Sequence, residues 1–368
     1  MAQCIHCGSE SHLISSPLSL CNQCIRTDFN KVKPHIENVH ADVRRSFDLP
    51  QRPPESKNGV QCDICINQCR IAENKRGYCG IRLNKEGRLV GGTAEEGNFF
   101  SYYDSLPTNC VGEWVCPAGT RCGFPRYSYA PDEEYGYKNL AVFFHACSFN
   151  CLFCQNWHFR EEPLSQGTSG SDAIAGRVDE KTACICYFGG DPTPQISYSI
   201  KASREALRKK KGDVLRICFE TNGSMHAKFL KKMSNLSLMS GGCIKFDLKA
   251  WSDDVHFALC GASNKWTLSN FEILAQSVPQ RPEVPFLIAS TLLVPGYIDE
   301  EEVNGIARFI ASVDPDIPYS LLGFHPSFFM KDLPATSRKH AERCYRAAQK
   351  AGLKRVMIGN IHLLGNAY

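Results

Sequence analysis

Cys147, Cys151 and Cys154 stand at Cx3Cx2C spacing in CSFNCLFC, close enough on one loop to share a metal cluster. Three thiolates can hold three irons of a [4Fe–4S] cube and leave the fourth iron without a protein ligand. That open corner is chemically useful, because an amine and a carboxylate can chelate it and set a sulfonium where the cluster donates an electron. Cys4, Cys7, Cys21 and Cys24 form two Cys-x-x-Cys knuckles separated by 13 residues. Such a pair places four sulfurs around one ion, as in zinc ribbons and rubredoxin-type sites, and both Zn and a single Fe accept that set. A structural role is expected here, since a bound ion supplies folding energy that about 30 residues cannot find in a core of their own. Cys62, Cys65, Cys69 and Cys79 supply four more thiolates within 18 residues. They suit an auxiliary [4Fe–4S] cluster or a structural zinc. Cys110, Cys116 and Cys122 follow at even spacing and could hold a cluster whose fourth position is open or not a cysteine.

These four groups account for 14 of the 20 cysteines, all before residue 155, and a different kind of domain follows them. From residue 139 the runs NLAVFFHAC, ACICYFGG, VLRICFETNG, CIKFDLKAW, PFLIASTLLVPG, PYSLLGFH and KRVMIGN suit buried parallel strands. Helical patterns such as SREALRKKKG, HAKFLKKM, DEEEVNGIARFIASV and SRKHAERCYRAAQKAG alternate with them. This alternation predicts an α/β fold with a partial (β/α) barrel of about six to seven parallel strands. Functional residues are expected where such strands end, and Cys147, Gly189-Gly190-Asp191, Glu220-Thr221-Asn222, Asp247-Leu248-Lys249 and His325 all lie there. Cys184, Cys186, Cys218 and Cys243 fall inside apolar runs and read as small buried hydrophobes. Cys344 lies on a late helix, and Cys260, in ALCGA, is the candidate for a hydrogen-atom donor at the barrel mouth. The basic run Arg208 to Lys211 reads as a solvated helix end before Gly212.

Four units are expected: a Cys4 zinc-ribbon or rubredoxin-like knuckle over 1–30 and a helix with a Pro-rich linker over 31–57. A small Cys-rich auxiliary domain follows over 58–125, with NKEG as a hairpin, and then the barrel over 126–368. A formal charge of +4 is too mild to point to nucleic acid, and no apolar run approaches the roughly 20 residues of a membrane span. The opening MAQCIHCGSE lacks the blocks of a signal peptide, so the thiols are expected in a reducing cytoplasm, where paired cysteines bind metal rather than each other.

The Cx3Cx2C loop after the first barrel strand resembles the signature of the radical S-adenosylmethionine (SAM) superfamily. YFGGDP is similar to the Gly-Gly-Glu-Pro segment of its pyruvate formate-lyase-activating-enzyme branch, with Asp191 in place of Glu. FETNG resembles that branch's Asp-Thr-Asn-Gly strand end, with Glu220 in place of Asp, and IKFDLKAW resembles its Asp-Leu-Lys motif. TLLVPG is similar to its Val-Val-Pro-Gly segment, and LLGFHPS to the position of a SAM-contacting histidine. CDICINQC…RGYCGIRLNKEG and FHPSFFMKDLPAT also resemble activase-like proteins of the AmmeMemoRadiSam type. The resemblance implies SAM contacts by Gly189, Gly190, Asp191, Glu220, Asn222, Asp247, Lys249 and His325.

It further implies an anaerobic oxidoreductase in which a [4Fe–4S] cluster reductively cleaves SAM to a 5′-deoxyadenosyl radical. That radical would remove a hydrogen atom from a protein or peptide, as in a glycyl-radical activase. A low-potential donor of ferredoxin or flavodoxin type would supply the electron. One alternative keeps the chemistry but takes a small molecule or lipid, with the front clusters relaying electrons. Another is a metal-binding scaffold that does not catalyse.

Overall fold

The computed structural model of the protein describes residues 1–161 and 168–368. Its centre is one eight-stranded sheet in sequential order: β1 (Phe99–Ser105), β2 (Lys138–Phe144), β3 (Thr182–Gly189), β4 (Arg216–Thr221), β5 (Ile244–Asp247), β6 (Leu287–Leu293), β7 (Tyr319–Gly323) and β8 (Val356–Gly359). Strands β2 to β8 run parallel, and these are the seven apolar runs expected. Strand β1 was not expected. It pairs antiparallel with β2, from Phe99 opposite Phe144 to Ser105 opposite Lys138. Its sequence, FFSYYDS, is only partly buried at this edge, so it lacks the continuous apolar signal of its neighbours.

Period-2 alternation divides the strands into two faces. Ile185, Tyr187, Ile217, Phe219, Ile244 and Phe246 belong to the main core, which they share with the crossover helices. Those helices are α2 (Ile196–Lys209), α3 (Leu230–Ser240), α4 (Asp253–Cys260), α5 (Lys265–Ala275), α6 (Glu300–Val313) and α7 (Arg338–Lys350), all following α1 (Phe29–Arg45) of the N-terminal part. Three of them, α4, α6 and α7, are capped at their starts by side chains. Ser252 accepts from Val255 N, Asp299 from Glu301 N and Glu302 N, and Ser337 from His340 N. The basic run at the end of α2 is not simply solvated. Lys210 is buried, and its Nζ donates to the carbonyls of Glu180 and Thr182 at 3.0 and 2.8 Å.

The opposite, inner face of the sheet carries polar residues and thiols, and residues 106–137 cross over it. Trp114 Nε1 donates to Ser320 Oγ of β7 at 3.0 Å, and that hydroxyl donates to Val111 O at 3.1 Å. At the other end Arg216 of β4 donates to Tyr127 O at 2.8 Å and pairs with Glu134. Both members of this ion pair are buried, and Glu134 also accepts from Ser128 Oγ and Tyr129 N.

The two front units dock on the barrel through specific bonds. Tyr297, just after β6, accepts from Ser15 N and donates to Leu20 O, both at 3.0 Å. Arg26 reaches Asp299 and Glu302 at 2.9 and 2.8 Å. The auxiliary unit holds a hairpin, Leu83–Lys85 with Arg88–Val90, turned at Glu86 and Gly87, both at positive φ as a two-residue hairpin turn requires. It joins the barrel just past β4, with Ile66 N donating to Ser224 O at 3.0 Å and His226 N to Ile64 O at 2.8 Å.

Removing one partner of the buried pair should be costly, because the other charge is left without compensation. Glu134→Ala is expected to destabilise the barrel by about 3–5 kcal/mol, read as a fall in its unfolding midpoint. Burial pushes the Glu134 carboxyl up, but the hydrogen bonds and charge of Arg216 more than offset this and hold it below the usual range. The pair's contribution is therefore full above the unfolded carboxylate pKa of about 4.3 and fades as pH falls through the lower folded value. A midpoint in Glu134→Ala equal to wild type at pH 7 would count against this anchoring.

Candidate active site and metal centres

One cavity opens at the C-terminal ends of the strands, lined by residues from every strand between β3 and β8 and from the loop after β2. Cys147, Cys151 and Cys154 line it from the loop after β2. Gly189, Gly190 and Asp191 come from the end of β3, Glu220 and Asn222 from β4, and Asp247 and Lys249 from β5.

The cysteine loop is held by main-chain bonds to the end of α4. Asn150 N donates to Cys260 O at 2.8 Å and Leu152 N to Leu259 O at 2.9 Å. Asn150 is fixed in turn by His40 Nδ1 at 2.9 Å and by Arg160 Nη1 at 2.9 Å. Asn222 Nδ2 donates to Ser148 Oγ at 2.9 Å and lies 3.8 Å from Cys147 Sγ. Burial pushes the thiols of Cys147 and Cys154 up, and Cys151 is raised by contact with the Cys260 thiol and then by burial. Buried thiols of this kind make poor free nucleophiles but good ligands once a cluster displaces their protons. Among the described residues these three sulfurs are not close enough together for one small ion, whereas thiolates on separate irons of a cube diverge.

The Gly189-Gly190 turn is a cradle that a side chain would fill. A Cβ at Gly190 would stand 2.3 Å from Ala146 O, and Gly189 has a φ of +98°. Asp191 pins this turn to β4 by accepting from Asn222 N at 2.6 Å and Thr193 N at 2.7 Å. Burial pushes its carboxyl up to about 6 despite those donors. Lys249 Nζ sits 2.9 Å from Asp247, whose other oxygen accepts from Ser290 Oγ at 2.9 Å. Burial works against the Lys249 charge, but Asp247 outweighs it, so the amine stays protonated.

Two expected residues lie elsewhere. His325 is exposed and outside the cavity, with Nδ1 3.1 Å from Pro326 O. Cys260 is fully buried behind Cys151 rather than at the mouth. Sequence reasoning missed Arg160, Trp114, Asn360 and His362, which do line the cavity. Asn360 and His362 follow the last strand and were open to the strand-end rule, while Arg160 and Trp114 carry no local signal.

The other thiol groups separate into distinct arrangements. Cys4, Cys7, Cys21 and Cys24 bring their sulfurs within 4.8 Å of one another, with Cys7 and Cys21 at 3.8 Å. A tetrahedral ion with Zn–S near ~2.3 Å sets sulfurs about 3.8 Å apart, so this group fits a single ion. Cys62, Cys65, Cys69 and Cys79 line one small cavity with Arg82. Asn67 ties that group to the active-site loop, donating to Ser148 O at 2.7 Å with its amide 3.7 Å from Cys65 Sγ. Cys110 and Cys116 line one cavity on the inner face of the sheet, and Cys122 does not. Cys122 Sγ bonds to Val115 O, while Cys110 faces Lys245 Nζ at 2.8 Å.

Residues 141–310 match the family model of the radical SAM superfamily. The chain is 24% identical to the uncharacterized protein MJ0808 of Methanocaldococcus jannaschii, over 83% of this chain and 82% of that one. It is 32% identical to the isethionate sulfite-lyase activating enzyme of Desulfovibrio desulfuricans, over 38% of this chain and 41% of that enzyme. A crystal structure of a domain of pyruvate-formate lyase-activating enzyme from Bacteroides vulgatus aligns at 20% identity, covering 48% of this chain and 98% of that one, with a TM-score of 0.39. The chain carries a radical SAM domain, and relatives of it are named as activating enzymes.

If the four ribbon sulfurs hold one ion, Cys4→Ser/Cys21→Ser should lower the metal content by about one per chain. SAM cleavage should survive, because none of these thiols lines the cavity. Metal analysis of the two proteins checks this, and equal inventories would refute the ribbon site.

Proposed function

We propose that this chain is a radical SAM enzyme that removes a hydrogen atom from a protein or peptide substrate. The observation that carries the reading is the meeting of Cys147, Cys151 and Cys154 with the Gly189-Gly190 cradle and the Asp247–Lys249 pair in one cavity. Cys147, Cys151 and Cys154 would hold a [4Fe–4S] cluster, which would supply the electron for reductive cleavage of SAM and so for hydrogen abstraction.

The chain's own residues prepare the place where this happens. The glycine turn, free of side chains, lets a ligand approach the backbone, and Asp191 keeps that turn from relaxing. Lys249 presents a fixed cation to a carboxylate or ribose, oriented by Asp247. Cys110, Glu113 and Trp114 reach the same cavity from the segment over the inner face. A protein substrate is favoured by the activating enzymes among the relatives. The Asn67 contact between the Cys65 and Cys147 segments favours the auxiliary thiols as an electron entry point, loaded by a low-potential donor of ferredoxin or flavodoxin type.

Cys151→Ala should abolish 5′-deoxyadenosine formation with dithionite under anaerobic conditions, with far-UV circular dichroism unchanged. Turnover at the wild-type level in that variant would sink the radical reading. For the relay, Cys65→Ala/Cys69→Ala should lower iron by about four per chain and leave the reduced EPR signal of the Cys147 site in place. Should zinc fall instead while iron holds, the auxiliary segment is a structural clamp and carries no electrons.

A further inference from the structure

Nine of the 20 cysteines lie outside the ribbon, auxiliary and active-site groups, and six of those nine meet around one cavity on the inner face of the sheet. Cys184 and Cys186 come from β3, Cys218 from β4 and Cys243 from the position just before β5. Cys110 and Cys116 come from the segment that covers this face. Register explains the gathering. Cys186 is the direct partner of Cys218, and the pairing of Phe219 with Ile244 sets Cys218 beside Cys243. Three thiols therefore form a row across three adjacent strands, and the main-chain N of Cys243 lies 3.4 Å from Cys218 Sγ.

Small buried hydrophobes would be as useful on either face of these strands. Instead the helix-facing positions carry Ile185, Tyr187, Ile217, Phe219, Ile244 and Phe246, and the thiols occupy only the inner face. The polar surroundings also suit a ligand rather than a core. Lys245 is buried, and its ammonium lies 2.6 Å from Glu220 Oε1, 2.8 Å from Cys110 Sγ and 3.3 Å from Cys186 Sγ. An ammonium has three protons, so one serves Glu220 and two remain for sulfur. Donors directed at ligating sulfurs are the usual means of holding and tuning a cluster.

We propose that Cys186, Cys218 and Cys243, with a fourth thiolate from Cys110 or Cys116, hold a further iron–sulfur cluster inside the barrel. Among the described residues no three of these sulfurs come within 4.8 Å of one another, too wide for a single tetrahedral ion, so the proposal is of a multi-iron centre. The cavity shares Cys110, Glu113, Phe188 and Glu220 with the active-site cavity, so the centre borders the space where substrate would react. The assignment stands apart from the hydrogen-abstraction reading, since it rests on thiols that SAM cleavage does not need.

The test uses the full chain, assembled and purified anaerobically, with iron, sulfide and zinc measured per protein. Cys218→Ala/Cys243→Ala should lose about four irons with zinc unchanged. A variant lacking Cys147, Cys151 and Cys154 together with Cys65 and Cys69 provides the second arm. It should still hold about four irons with a reduced EPR signal, and adding Cys218→Ala/Cys243→Ala should remove both. Circular dichroism and the thermal midpoint, compared with the control Cys344→Ala, separate metal loss from misfolding. Iron that stays at the wild-type level in folded Cys218→Ala/Cys243→Ala, or a loss of zinc in place of iron, would overturn the cluster.

Discussion

The active-site loop depends on the end of a short helix. The last carbonyls of any helix lack partners within it, and in α4 those of Leu259 and Cys260 accept from Leu152 and Asn150. Two orphan acceptors and two loop donors thereby satisfy each other, and the bonds set the course of the chain between Cys147 and Cys154. The helix can stop there because Gly261 takes a φ of +67°, and its lack of a side chain admits His40, since a Cβ would lie 2.9 Å from that ring's Nδ1. His40 then reaches Asn150 of the same loop. Burial lowers the His40 pKa to about 4, so near neutral pH it serves as an uncharged strut.

The front units are coupled to the catalytic strand ends rather than merely attached. Glu302 receives Arg26 of the ribbon on one oxygen, and on the other it accepts from the backbone of Trp251 and Ser252. Those amides begin two residues beyond Lys249, so the ribbon braces the segment that carries it. The ribbon also occupies the space next to Gly296, where a Cβ would stand 2.1 Å from Leu13 O. The auxiliary unit has the corresponding position on the other flank, against Ser148 and Ser224. Order in either unit is thus coupled to order at the site, and a metal bound there would support both.

The inner face of the barrel is enclosed by residues 106–137, whose ends are fixed at β4 and β7. A buried ion pair is a poor source of net stability, but it is specific, because only one arrangement satisfies both charges. Glu134 and Arg216 therefore specify where the covering segment lies more than how firmly it holds. That placement brings Cys110 opposite Lys245.

Much of this was legible in the chain before folding. Cysteine spacing marked the ribbon, the auxiliary group and the active-site loop, because ligands to one centre that are near in sequence need only local geometry. Seven parallel strands were legible because each is a continuous apolar run, and the edge strand Phe99–Ser105 was not because half its surface is open. His325 and His362 look alike as strand-end histidines, and only the path of the final segment brings His362 to the cavity. The inner-face thiols are the clearest division. Each of Cys184, Cys186, Cys218 and Cys243 alone is indistinguishable from a small apolar core residue. Their gathering arises from strand register, which aligns residues dozens of positions apart and is set by pairing across the sheet. Spacing along the chain was enough to group the neighbouring cysteines and to show the alternation of strand and helix. Tertiary structure decided which distant residues share a cavity, because that depends on pairing and packing between segments that carry no record of one another.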